Sequence, residues 1–294
     1  MSDLKAYLKQ QQRKVDSALR RFLPRESVHP ATVHKAMRHS IFAGGKRLRP
    51  ILCLAATEAC GGDPGNALRP ACAVEVVHTY SLVHDDLPCM DDDDLRRGQP
   101  TTHVIFGEGV AVLAGDGLLT EAFAIIAQTP ECLKHKARDY VIELAHGADS
   151  RRLIGGQIMD LEAEGKSLTK AQLVRVHEAK TAALLTSSLR LGAMVANASP
   201  AKLGALTDFG RNLGLAFQII DDILDVTQPT EKLGKTAGKD AAAEKATYPA
   251  IMGLATSVKE AQRLTTRALN ALKPFGPKAH RLDQIAHYLL DRDY

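Results

Sequence analysis

Along most of the chain, apolar residues recur every three to four positions, the spacing of one face of a helix. This periodicity predicts a helix over residues 3–22, stopped by Leu23-Pro24, and a second over 31–42, ended by Gly44-Gly45. It resumes over 51–59 until the cluster Gly61-Gly62-Asp63-Pro64-Gly65, and a long, mostly apolar helix follows over 69–86, with Pro88 set to break or kink it. Further helices are predicted near 110–128, 131–157, 169–198, 202–227, 247–272 and 280–292. No β-branched run alternates with polar residues as a half-buried strand would, so the predicted class is all-α.

The composition fits this picture. At 294 residues and 45% hydrophobic, with no Ser/Pro-rich linker, the chain is expected to form one domain over 1–294. Its net charge of +4 is scattered and lacks the interleaved aromatics of a nucleic-acid surface, so no nucleic-acid partner is expected. Cys53, Cys60, Cys72, Cys89 and Cys132 contain no CxxC pair, and a reducing cytoplasm is the expected compartment. The charged N-terminal segment lacks a signal-peptide core, and no stretch approaches about 18 uncharged apolar residues. No membrane insertion is expected.

Two acidic segments change the picture. Between residues 213 and 226, Gln218, Asp221, Asp222 and Asp225 are nearly the only polar positions, and their spacing of i, i+3, i+4 and i+7 puts them on one stripe of an apolar cylinder. Such a stripe suits a polar cavity inside a helical bundle, although a salt-bridged cluster would use the same pattern. The 71–86 segment repeats the design with Glu75, His78, Asp85 and Asp86. Asp91 is not on the face of Asp85, so it joins only if Pro88 bends the chain. Crowded carboxylates repel unless a cation intervenes, and oxygen ligands without a histidine or thiolate pair suit Mg²⁺ shared with substrate phosphates.

Cations follow the carboxylates. Arg96-Arg97 directly succeeds the aspartate run, and Lys46, Arg47 and Arg49 follow the Gly44-Gly45 turn, where they can converge on an anion. Lys235 and Lys239 lie on a Gly-containing loop after the second stripe, which reads equally as a lid over phosphate or as a solvated loop.

Together, GGKRLRP (44–50), HDDLPCMDDDDLRRG (84–98), Lys180-Thr181, FQIIDDILD (217–225) and GKTAGKD (234–240) closely resemble the short-chain trans-prenyltransferases, specifically bacterial farnesyl diphosphate synthases. The resemblance spans nearly the whole chain. It implies a homodimer in which each subunit is a bundle of about a dozen antiparallel helices around a deep central cavity. Asp85, Asp86, Asp91, Asp221, Asp222 and Asp225 would hold three Mg²⁺ on an allylic diphosphate, with Arg96, Lys180, Thr181, Gln218, Lys235 and Lys245 supporting it. Lys46, Arg49, His78 and Arg97, with Gly45, would bind isopentenyl diphosphate.

The implied reaction ionises the allylic diphosphate, adds isopentenyl diphosphate and eliminates a proton. Asp85, Asp86, Asp91, Lys180, Thr181, Gln218, Asp221 and Asp222 would be its catalytic residues. Ser81 lies about one turn below Asp85 with Tyr80 beside it, where a growing tail would meet the ring; that bulk resembles enzymes that stop at fifteen carbons. Four other readings compete: a geranylgeranyl diphosphate synthase, a terpene cyclase, a metal phosphohydrolase using His84-Asp85, and a non-catalytic partner subunit.

Overall fold

The computed structural model describes residues 2–227 and 247–290. Among them are fourteen α-helices and one hairpin of two-residue strands, β1 (Leu95–Arg96) and β2 (Gln99–Pro100). The helices are α1 (Ser2–Phe22), α2 (Ala31–Phe42), α3 (Leu48–Cys60), α4 (Leu68–Asp85), α5 (Thr102–Phe106), α6 (Glu108–Ile126), α7 (Ala137–Ala148), α8 (Leu153–Ala163), α9 (Lys170–His177), α10 (Ala183–Val195), α11 (Pro200–Thr227), α12 (Tyr248–Met252), α13 (Leu254–Ala271) and α14 (His280–Leu290). The predicted all-α class holds.

Burial dictates the order of packing. In α4, residues 71 to 77 are all buried, as expected of a helix apolar on every side. It sits between α3 and α6, while α10 packs on α3, α7 and α11, and α13 covers the far side of α11. One apolar cluster joins α1, α3, α10, α11, α13 and α14; a second joins α1, α2, α3, α4, α6 and α7.

Four predicted boundaries move. Helix α3 starts at Leu48, because Pro50 falls in its first turn, where a missing N–H costs no hydrogen bond. The 131–157 segment divides into α7 and α8 around Asp149, whose carboxylate caps Arg151 N at 2.8 Å. Gly253, at φ 76°, separates α12 from α13. The 169–198 segment is interrupted by a π-turn at Glu178–Ala182.

Helix α6 also departs from expectation. It is long and apolar enough to span a membrane by length and hydropathy, with 39% of its apolar window buried. It nevertheless contains Asp116 and Glu121 and packs along α4 and α2.

Candidate active site

The first acidic motif bends as Pro88 required. Helix α4 ends at Asp85, and the chain turns back so that Asp91 N donates to Asp85 O at 2.8 Å and Asp93 N to Asp86 O at 3.2 Å. Burial pushes the Asp85 carboxyl up to about 6; Lys180 opposes that rise, and Asp91 and Asp86 add to it. Asp86 is 4% exposed and is gripped by Arg96, which also reaches Asp93 Oδ2 at 3.2 Å. Burial raises the Asp86 carboxyl despite that hydrogen bond.

The second motif keeps its predicted stripe on α11. Gln218 Nε2 donates to Asp222 Oδ1 at 3.2 Å, one turn along the helix, and Tyr248 N donates to Asp222 Oδ2 at 3.0 Å. Asp222 and Asp225 are buried, and Asp221 is half-buried.

The π-turn joins the two motifs. Lys180 Nζ lies 2.6 Å from Asp160 Oδ2 on α8 and within electrostatic reach of Asp85, while Thr181 Oγ1 donates to Gln218 Oε1 at 3.1 Å. Adjacent residues therefore serve opposite carboxylate groups. Two glycines permit this: a Cβ on Gly156 of α8 would stand 2.6 Å from Lys180 Cα, and one on Gly214 of α11 would stand 2.6 Å from Ala182 Cα. A π-turn widened toward both neighbours fits only against helices without side chains at those points.

The basic side is partly as predicted. Gly45 (φ 133°) lies under the Arg97 guanidinium, which donates to Gly44 O; a Cβ there would be 2.5 Å from Arg97 Nη1. The Arg49 Nε is buried without a hydrogen-bond partner. His78 is half-buried, and burial, then Arg49, Arg97, Arg96 and Arg47, hold its imidazole well below the usual range, hence neutral. Lys46 is exposed on the same loop.

Two expectations fail there. Arg47 does not face an anion: it is 3% exposed, adopts φ 50°, and binds Asp16 at 2.8 Å, Glu75 at 2.9 Å and the carbonyl of Ile41. Glu75 accordingly leaves the acidic stripe and becomes the counter-charge that anchors the loop. Lys235, Lys239 and Lys245 lie outside the described residues.

Below Asp85 opens an apolar cavity of about 310 Å³, walled by Tyr80 and Ser81 of α4, Val112 of α6, and Leu153, Ile154, Ile158 and Leu161 of α8. Tyr80 is 5% exposed and meets His84 edge-on at 5.8 Å between ring centres. The His84 Nε2 lies 3.0 Å from Val112 O, seated where Gly115 has no side chain. It is turned to α6 rather than paired with Asp85 as a hydrolytic dyad would need. Sequence reasoning missed the whole α8 contribution; Gln157 and Asp160, one turn apart in an apolar helix, were the available signal.

The fit to Mg²⁺ is one of donor chemistry. Among the described residues, no three His, Cys, Asp or Glu side chains are drawn together closely enough to share a metal ion. The donors are carboxylate oxygens only, and Asp85, raised first by burial and further by Asp91 and Asp86, is a charge that a nearby cation would stabilise. Mg²⁺ needs no closed protein cage, since it keeps waters and shares substrate phosphates. These residues therefore fit it.

Known proteins resemble this chain throughout its length. The family model described as polyprenyl synthetase matches residues 30–281. A chloroplastic geranylgeranyl pyrophosphate synthase of Catharanthus roseus is 47% identical, over 99% of this chain and 82% of the relative. A geranylgeranyl diphosphate synthase of Cyanophora paradoxa is 43% identical, over 99% and 97%. Among solved structures, an FPP/GFPP synthase from Zymomonas mobilis superposes with a TM-score of 0.88 at 34% identity, covering 98% of this chain and 99% of that one.

Proposed function

The chain belongs to the polyprenyl synthetase family, and from that premise we propose that it condenses isopentenyl diphosphate head-to-tail with an allylic diphosphate, releasing diphosphate and adding five carbons. The observation that carries this reading is an apolar cavity whose rim is Asp85 and whose neighbours are two carboxylate motifs bridged by Lys180-Thr181. Such a cleft suits a ligand with an apolar tail and a polyanionic head.

The residues divide the work by charge. Asp85, Asp86, Asp91, Asp221, Asp222 and Asp225 would hold three Mg²⁺, which supply Lewis-acid stabilisation of the leaving diphosphate. Lys180 and Arg96 bind phosphate oxygens beside them, while the Thr181–Gln218–Asp222 chain fixes the donor geometry. Lys46, Arg49 and Arg97 take the second diphosphate, and Arg49 Nε gains there the acceptor it lacks. Neutral His78 adds a hydrogen bond without a further charge.

The allylic C–O bond breaks with its electron pair leaving on diphosphate. The double bond of isopentenyl diphosphate attacks the allylic carbon, and the departing diphosphate takes the proton. The walls of α4, α6 and α8 exclude water that would quench the cation.

Tyr80 supports a farnesyl product, because its buried ring stands in the wall that a growing chain reaches. A second reading, a geranylgeranyl product, is favoured by the names of the two curated relatives. Mass analysis of products from dimethylallyl and isopentenyl diphosphates separates them: fifteen carbons supports the Tyr80 reading, and twenty overturns it. In Tyr80→Ala the expected shift is one five-carbon unit longer, since the lost ring is about the size of an isoprene unit.

The oligomer we propose is a homodimer, with the exposed apolar residues Val104, Ile105, Val112 and Leu113 of α5 and α6 as its contact. Sedimentation equilibrium tests it, and a monomer at micromolar concentration rejects it. All five cysteines are free, which supports our placing the enzyme in a reducing cytoplasm.

A further inference from the structure

A second basic cleft lies outside the machinery above. It has a volume of about 510 Å³ and is lined by Arg20 of α1, Lys35, Arg38 and His39 of α2, and Gln99 of β2, with Phe42 and Phe106 on its walls. Three permanent cations face one carboxylate, Glu26, which is 3.6 Å from Arg38 Nε and largely exposed. Among the described residues, neither Arg20 nor Lys35 forms an ion pair.

The cations are gathered around one aromatic ring and one cleft. The guanidinium carbons of Arg20 and Arg38 lie 4.3 and 5.0 Å from the centre of the same ring, Phe42. Both stack on Phe42 and both line the cleft with Lys35, so an anion with several oxygens entering it meets three cations at once. The apolar rim continues at Phe106, which His39 meets edge-on at 5.8 Å.

The cleft is also wired to the substrate loops. His39 Nε2 lies 2.9 Å from Pro100 O, and Ser40 Oγ lies 2.7 Å from Thr102 Oγ1, so α2 is tied to the hairpin that carries Arg96. Ala43, in the same wall, directly precedes Gly44-Gly45, under Arg97. We propose that this cleft is an effector site for a phosphorylated ligand bearing a diphosphate head, which binds Arg20, Lys35 and Arg38 and shifts the loops that grip substrate.

The test is calorimetric titration of the full chain with inorganic diphosphate. The expected isotherm shows two classes of site, one of which weakens at least tenfold in Arg20→Gln/Lys35→Gln, with melting temperature unchanged and kcat in diphosphate-free buffer within twofold. The conservative pair Arg20→Lys/Lys35→Arg is expected to restore binding. A parallel titration with geranyl diphosphate identifies the source: tighter binding than inorganic diphosphate at the affected site assigns the tail to Phe42 and Phe106, and equal binding assigns recognition to the head alone. Identical isotherms for wild type and Arg20→Gln/Lys35→Gln overturn the proposal. Prenyl transfer is assayed separately, so that outcome leaves the catalytic reading untouched.

Discussion

Replacing Glu75 by Leu is expected to destabilise the protein while leaving the chemical step nearly intact. Glu75 is 1% exposed and accepts from Arg47 Nη1 at 2.9 Å, and Arg47 itself is 3% exposed. Burial disfavours the Arg47 charge, but Glu75 and Asp16 outweigh it and raise the guanidinium above its usual range. Removing one partner leaves a buried cation with only Asp16 and the Ile41 carbonyl, a change that costs about 3–5 kcal/mol. For a chain of this length that corresponds to a fall of roughly 5–8 °C in Tm. Arg47→Met added to Glu75→Leu should recover most of the loss, since a buried pair replaced by apolar groups is often neutral. Because Arg47 anchors the loop bearing Lys46 and Arg49, KM for isopentenyl diphosphate should rise several-fold with kcat little changed. Calorimetry and initial rates on the two variants check both halves. A Glu75→Leu protein with unchanged Tm and collapsed kcat would refute the anchoring role and return Glu75 to the catalytic stripe.

Gly156→Ala should push α8 off the π-turn, because its Cβ meets Lys180 Cα at 2.6 Å; kcat is expected to fall about tenfold or more, and wild-type kinetics would contradict the close-approach argument. His78 predicts a pH dependence of stability. Its imidazole is held well below the ordinary histidine value of 6.5 in the fold, so just below pH 6.5 only the unfolded chain takes up that proton. Stability is then lost as pH falls, at up to about 1.4 kcal/mol per pH unit from this group, and none is lost to it above pH 6.5. Urea unfolding from pH 7 to 5 should show a shallower decline in His78→Asn, and parallel declines would exclude the effect. Asp222→Asn should lower kcat by about 10²–10³ while Tm moves little, because the amide still accepts from Tyr248 N. Equal loss of stability and activity would make Asp222 structural.

Much of this site was legible because helical spacing is local. The Gln218–Asp222 stripe could be read from i, i+4 alone, and the turn from Asp85 to Asp91 followed from Pro88. What escaped was non-local. Nothing in the apolar run of 169–198 announces the π-turn, whose room comes from Gly156 and Gly214 on two other helices. Arg47 looked like its neighbours Lys46 and Arg49 until the fold placed Asp16 and Glu75 around it. Asp160 sits among Glu162 and Glu164 at the end of α8, where it reads as part of a solvated acidic end, and only the folded chain sets it against Lys180.

Chain elongation at the Asp85 cavity is what the geometry of the site comes down to. Incubating the purified protein with radiolabelled isopentenyl diphosphate, dimethylallyl diphosphate and Mg²⁺, and counting label in the extracted prenyl diphosphates, tests it most directly. One diphosphate is expected to be released for each five-carbon unit added, with label in the lengthened chain and none incorporated when Mg²⁺ is chelated. Release of orthophosphate without label in a longer chain would contradict it.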